Sequence, residues 1–184
     1  MEKHGRITFR KLKNTDYAIL QEFCNKCRDL GYKNNSTFKD IKLDQMKMPY
    51  GQFFIGEIDG YIFNLAGVHQ MPELNKNAYR CLFRGAVLPK HVTSRGGLKN
   101  SWQFTVTLNQ QIDFILSLNP NAEFYLTSNK EQINGKSSVI DKVFNPKAEQ
   151  LGIMELVDGN FYYMYTEQRL WKINVNAYKQ WRLV

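Results

Sequence analysis

The sequence predicts a mixed α/β fold of the α+β kind: a largely antiparallel central sheet flanked by helices. Three observations carry that expectation. Stretches of period-two alternation are interleaved with stretches of helical period along most of the chain. Two β-rich runs meet at Asp59-Gly60, a dipeptide that strongly signals a two-residue hairpin. A basic, glycine-bearing segment, residues 84–101, separates four early strands from a later helix and a strand-rich end. The 184 residues have the length of one domain spanning 1–184, and 43% hydrophobic against 23% charged residues allows a core and argues against wholesale disorder.

Residues 6–12 alternate apolar and polar side chains, as a half-buried strand does. Asn14 or Thr15 then offers an N-cap, and Asp16 in the first turn suits the helix dipole. Leu20, Phe23, Cys24, Cys27 and Leu30 follow at helical spacing, with Gly31 as the stop. Cys24 and Cys27 fall on the apolar face of that helix, where buried free cysteine is common. A zinc site would need further ligands, and the chain offers only Cys81 and three scattered histidines, so no metal is expected. Residues 36–46 predict a second, short helix, closed by Pro49 and Gly51. Residues 52–69 form the hairpin around Asp59-Gly60, and residues 78–88 a further strand ended by Pro89.

In the basic segment Gly96 and Gly97 let the backbone turn with its N–H groups open to a ligand. Arg95 and Lys99 flank them, and Asn100 or Ser101 can cap a helix start, an arrangement suited to phosphate. Leu108, Ile112, Ile115 and Leu116 predict a helix ending near Asn119-Pro120. Residues 102–108 alternate and carry β-formers, yet helix is expected there too, because a helix buried against a sheet carries such residues. Next come a short strand at 123–127, a polar loop at 129–138, and weak helical spacing over 139–151 broken by Pro146 and ended by Gly152. Strands at 153–157 and 161–165 are joined by a turn at Asp158-Gly159-Asn160, and 169–175 is the last strand. Tyr178 and Trp181 are expected to pack on the domain.

The net charge is +8, from 25 basic and 17 acidic residues, which favours polyanions: nucleic acid, a phosphorylated cofactor or an acidic surface. No stretch approaches the roughly eighteen apolar residues of a membrane span. The first residues lack a signal-peptide core, and three cysteines fit a reducing compartment. A cytoplasmic protein is expected, with no membrane partner.

The order of elements resembles that of the GNAT superfamily of N-acetyltransferases over most of the chain. Gly85-Ala86-Val87-Leu88-Pro89 resembles the family's fourth strand, which typically ends in Val-x-Pro. The resemblance implies that backbone groups of Ala86, Val87 and Leu88 bind the pantetheine arm of acetyl-CoA. Arg95, Gly96, Gly97, Leu98, Lys99 and Asn100 resemble the pyrophosphate loop, although the glycines are adjacent and stand later after the proline than is usual. Asn129 and Leu151-Gly152-Ile153 resemble two further landmarks. The tyrosine that often precedes the second landmark is Ala148 here, and the glutamate base of the fourth strand is missing among Tyr79, Arg80, Cys81 and Arg84. With its aromatic ending, the chain resembles divergent GNAT-like proteins of bacteriophage genomes, among which the phage Mom protein modifies DNA bases.

Amine acylation needs a deprotonated amine, a stabilised oxyanion and a proton returned to sulfur. His69 has the intrinsic pKa range of a base, and Glu57 on the neighbouring strand would reach the same face if alternation holds. Tyr163, or its neighbours Tyr162 and Tyr165, could supply the acid, while Cys81 on a core strand is a weaker, covalent candidate. No Walker, nucleophile-elbow or His-Glu-x-x-His motif occurs. The expectation is therefore an acyl-CoA-dependent N-acyltransferase, acetyl-CoA being the donor and the amine acceptor unspecified. Two alternatives stand beside it. One is a non-catalytic binding or inhibitor module. The other is a nucleic-acid-modifying enzyme, which basic residues interleaved with aromatics would serve through phosphate contacts and stacking.

Overall fold

A computed structural model describes residues 7–16, 18, 20–23, 25, 51–58, 61–86, 98–129, 145–163 and 166–181. Among these residues seven strands form one sheet: β1 (Ile7–Lys11), β2 (Gln52–Ile58), β3 (Tyr61–Gln70), β4 (Ala78–Ala86), β5 (Glu123–Asn129), β6 (Met154–Tyr163) and β7 (Thr166–Ile173). Their order is β1-β2-β3-β4-β5-β7-β6. Every neighbouring pair is antiparallel except β4 and β5, which run parallel. The helices are α1 (Leu98–Leu118), α2 (Asn145–Gln150) and α3 (Val175–Trp181). A 3₁₀ turn at Asn14–Asp16 leads into helical residues at 18, 20–23 and 25. The mixed, mostly antiparallel sheet matches the class read from the sequence.

Alternation puts two different cores on the two faces of the sheet. Phe54, Val68, Tyr79, Cys81, Phe124, Leu126, Trp171 and Ile173 point to one face and bury against Leu108, Ile112 and Ile115 of α1. Those three helical residues recur at the spacing that makes one apolar stripe. Gln111 lies on the same side and donates to the Gly67 carbonyl at 3.0 Å, pinning α1 to β3. Phe53, Ile55, Ile62 and Leu65 point to the other face and bury against Leu20 and Phe23 of the early helix. Gly67 is required on that face, because a Cβ there would stand 2.7 Å from the Phe53 ring.

The two Asp-Gly sites part company. Ile58 pairs with Tyr61, so the first is a two-residue hairpin as expected. The second is not a turn: β6 runs through Asp158-Gly159-Asn160, and the chain reverses between Tyr163 and Thr166. Register shifts between Leu156 and Asp158 and between Asp158 and Phe161 absorb the extra residues as bulges, where Asp158 Oδ1 accepts the Asn160 N–H at 2.7 Å. Strand β5 extends to Asn129, which is paired with Gln168 rather than opening a loop. Strand β7 ends at Ile173, and Val175 begins α3. Pro146 starts α2 instead of breaking it, since a first-turn proline removes no intrahelical bond. The residue 98–118 helix confirms helix over the β-forming stretch 102–108. Cys24, Cys27, Leu30 and Gly31, the helix expected at 36–46, and segments 87–97 and 130–144 lie outside the described residues. No helix among the described residues is long and apolar enough to cross a membrane.

Candidate active site

The one parallel junction in the sheet is also its weakest seam. Strands β4 and β5 pair only from Ala78 opposite Glu123 to Arg80 opposite Tyr125. Beyond that point β4 continues to Ala86 and β5 to Asn129 without forming a ladder with each other. A register shift against β3, where Asn64 faces Ala86 and Leu65 faces Arg84, leaves Gly85 as a bulge residue in the diverging part of β4. A cleft between two strand edges follows, with backbone N–H and C=O groups on its banks. Helix α1 begins at Leu98, directly after Arg95-Gly96-Gly97 in sequence.

On one face of the sheet a polar floor sits at the mouth of this cleft. Arg80 pairs across the strands with His69 and is 9% exposed. Its Nε and Nη2 donate to Thr127 Oγ1 at 2.9 and 2.7 Å, bridging the strands just past their last ladder pair. Its guanidinium lies over the Tyr163 ring, 4.8 Å from the centroid. Tyr163 is held in turn by stacking on Phe161 at 5.8 Å and by its carbonyl accepting from Gln168 Nε2 at 2.9 Å. His69 Nδ1 lies 2.9 Å from the Gln70 carbonyl. A carbonyl only accepts, so Nδ1 is the donor of that pair.

The opposite face contributes a buried amide. Ser128, also beyond the last β4–β5 pair, accepts from Trp171 Nε1 at 2.9 Å and from Asn145 Nδ2 at 3.2 Å. Asn145 is 1% exposed, and its Oδ1 has no hydrogen-bond donor. A buried carbonyl oxygen left in that state is costly and suits an incoming N–H. Helix α2, which carries Asn145 at its start, ends in a Schellman turn: Gly152 N–H reaches the Glu149 carbonyl and Ile153 N–H the Ala148 carbonyl, both at 2.9 Å. Gly152 supplies the required positive φ of 68°, and Ala148 and Ile153 meet in the core.

Of the sequence candidates, His69 and Tyr163 come together, each against Arg80. Glu57 does not join them. It pairs with Ile62, whereas His69 lies seven residues further along β3, on the order of 23 Å away at one strand rise per residue. Its carboxylate is engaged by Arg10, whose Nη2 and Nε lie 2.9 and 3.3 Å away, and Arg10 also binds Asp16 at 2.8 Å. Burial pushes the Cys81 thiol well up, with the Arg80 charge offsetting only part, so the thiolate a covalent route needs is suppressed. Ala86 closes β4, Asn129 closes β5, and Leu98, Lys99 and Asn100 form the first turn of α1. Val87, Leu88, Arg95, Gly96 and Gly97 lie outside the described residues. Three residues escaped the sequence reading of the site. Arg80 was legible as a charge inside an apolar strand; Asn145 has only the neighbouring Pro146 as a marker, and Thr127 has none. No group of three or more His, Cys, Asp or Glu residues able to hold a metal occurs among the described residues.

No family model matches the sequence, and no curated protein does. Solved structures do match the fold. An aminoglycoside acetyltransferase in complex with coenzyme A and kanamycin superposes with a TM-score of 0.62 at 12% identity, covering 96% of this chain and 99% of that one. A GNAT-family acetyltransferase from Staphylococcus aureus gives 0.59 at 12% identity, covering 92% and 99%. The spermidine N-acetyltransferase of Vibrio cholerae, with CoA and spermine, gives 0.55 at 13% identity, covering 94% and 98%. The chain has the GNAT fold.

Proposed function

We propose that this chain is an acyl-CoA-dependent N-acyltransferase, with acetyl-CoA as donor and an amine as acceptor. The observation that carries the reading is the parting of β4 from β5 after Arg80 and Tyr125, within a sheet of GNAT topology. A pantetheine arm is an extended chain of amides, and a strand edge whose ladder has ended offers it the matching backbone groups. The unpartnered, buried Asn145 Oδ1 beside Ser128 fits an amide N–H of such an arm. Ala86, with Val87 and Leu88, would hold the arm from the β4 bank, and Asn129 stands at the end of the β5 bank. Arg95, Gly96 and Gly97, leading into Leu98, Lys99 and Asn100 at the start of α1, would hold the pyrophosphate by fixed charge and open N–H groups.

Bound acyl-CoA supplies an activated carbonyl; the chain supplies proton management and position. His69, whose Nδ1 donates to the Gln70 carbonyl, is the group assigned to take the amine proton, directly or through a water. Tyr163, fixed by Phe161, Gln168 and Arg80, is the phenol assigned to return a proton to sulfur. Glu57 is assigned to the Arg10 ion cluster and takes no part.

The test is a thermal melt with and without acetyl-CoA. At about a hundredfold over Kd the donor should add roughly 2.7 kcal/mol, a shift of several degrees. Gly96→Asp should abolish the shift, and free thiol should accumulate when an acceptor is present. No shift at millimolar acetyl-CoA overturns the reading.

A specific observation favours a second reading. Ala148, where the resemblance leads one to expect a tyrosine, is 6% exposed and packed in the core, so that position has no acid to offer. A non-catalytic binding module would show the melting shift without thiol release for any amine. The charge of +8 suits a nucleic-acid acceptor as well, which predicts DNA binding that falls steeply with salt.

A further inference from the structure

We infer that a second copy of this chain docks on β6, strand against strand, antiparallel and centred on Gly159. The inference is independent of the acyltransferase reading. Strand β6 stands last in the sheet and, among the described residues, pairs with β7 alone. Glu155, Leu156, Val157 and Asp158 are exposed in succession, and so are Asn160 and Tyr162. A layer packed on either face would bury residues of that run in alternation. Leu156, Val157 and Tyr162 are 42%, 51% and 70% exposed. An open edge that carries apolar side chains is a template for another strand. The opposite edge, β1, carries Arg10 and Lys11, cations of the kind that guard an edge.

The order of residues along β6 selects the partner. Before Gly159 the strand reads Glu-Leu-Val-Asp, and after it Asn-Phe-Tyr-Tyr. An antiparallel copy turned about Gly159 therefore sets Asp158 against Asn160, Val157 against Phe161, Leu156 against Tyr162 and Glu155 against Tyr163. Two of these pairs join an aliphatic side chain to an aromatic one, and each carboxylate faces an amide or a phenol. Moving the centre one residue, to Asp158, would set two carboxylates directly opposite each other, which is unfavourable. The faces agree as well. Leu156 and Tyr162 pair with Trp171 and Glu167, four residues apart on β7 and so on one face, that of α1. Glu155 and Tyr163 pair with Lys172 and Thr166, on the other face. Residues brought opposite each other thus share a face of the joined sheet. The bulges of β6 fall between Leu156 and Phe161, so the regular ends of the strand meet each other and the irregular centres meet at the axis. Nothing lies within 4 Å of a Cβ built on Gly159, which leaves the axis open to close approach. One strand edge buries less than the roughly 800 Å² per partner of a standard interface, so the dimer forms in a concentration-dependent way.

Sedimentation velocity on the full chain, from micromolar to near-millimolar concentration, tests the docking. Monomer should give way to dimer, with no larger species. Tyr162→Glu, at a side chain too exposed to decide folding, should raise the dimer Kd about tenfold or more. Adding Leu156→Lys to that variant should recover most of the loss, because the two new charges then face each other across the axis. Register is read by Gly159→Cys. Facing Cα atoms of an antiparallel ladder stand about 4.5–5.5 Å apart, within the span of a disulfide. Oxidation should therefore join two copies of Gly159→Cys well above the background of the unaltered chain. Val157→Cys should stay at that background, because residue 157 faces Phe161 and not itself. A monomer at every concentration overturns the inference. So do species that keep growing, as head-to-tail pairing of β6 with β1 would give. Both are read on the native chain, so a variant that fails to fold does not shield the inference. A dimer that Tyr162→Glu leaves unchanged, or equal crosslinking of the two cysteine variants, overturns it too.

Discussion

Arg10, Asp16 and Glu57 show how one residue can be taken out of contention for chemistry by another. Asp16 accepts two hydrogen bonds from Arg10 and one from the Lys13 N–H at 2.6 Å, and the Arg10 bonds hold its carboxyl below the usual carboxylate range. A depressed carboxyl stabilises the fold above its unfolded-state value and loses that contribution as pH falls through its folded-state value. Asp16→Asn should therefore cost about 1–3 kcal/mol at pH 7. Urea titrations of the two proteins should begin to converge below about pH 4, where the unfolded carboxyl protonates, and meet only once the pH has fallen through the lower folded-state value. His69 and Tyr163 are candidates from residue type and position on predicted strands, and each lies against Arg80. Glu57 stands apart from them, because alternation gives the face of a strand and not the distance along it.

At the scale of elements, glycine chemistry separates what can be read locally from what cannot. Gly152 ends α2 at φ 68° within a Schellman turn, as its place after Leu151 suggested. Gly152→Ala should lower stability by about 1–2 kcal/mol through the left-handed backbone alone, since nothing lies within 4 Å of the new methyl. Gly159 also faces open space but has no positive φ, so Gly159→Ala should stay within about 0.5 kcal/mol in the same denaturant series. Asp59-Gly60 and Asp158-Gly159 look alike in sequence, yet one is a hairpin and the other a bulged strand interior. The difference is decided by β7, whose pairing with both halves of β6 no local window contains. Helix α1 was correctly preferred over strand at 102–108 because its later residues keep the apolar stripe.

Across the whole molecule the order of elements was legible, and with it the fold; the cleft was not, because a ladder that stops after three residue pairs leaves no mark on hydrophobic periodicity. Four antiparallel strands (β1–β4) and three more (β5, β7, β6) each form a continuous ladder, and the seam between them is short. A donor lodged in that seam should slow amide hydrogen exchange in the diverging parts of β4 and β5 while leaving β1 and β2 unchanged. Mass-spectrometric exchange with and without acetyl-CoA measures this, and uniform slowing throughout the sheet would contradict a seam-bound donor.

The Tyr178 hydroxyl donates to Asn109 Oδ1 at 2.6 Å, joining α3, which follows the last strand, to α1, which packs on β2, β3 and β4. Mechanically the sheet is two leaves of a book with a short spine, and this bond is a clasp on the cover. A wedge pressed into the pages would load the clasp as well as the spine. The C-terminal helix, remote from the chemistry in sequence, is thereby placed to feel whether the book is open.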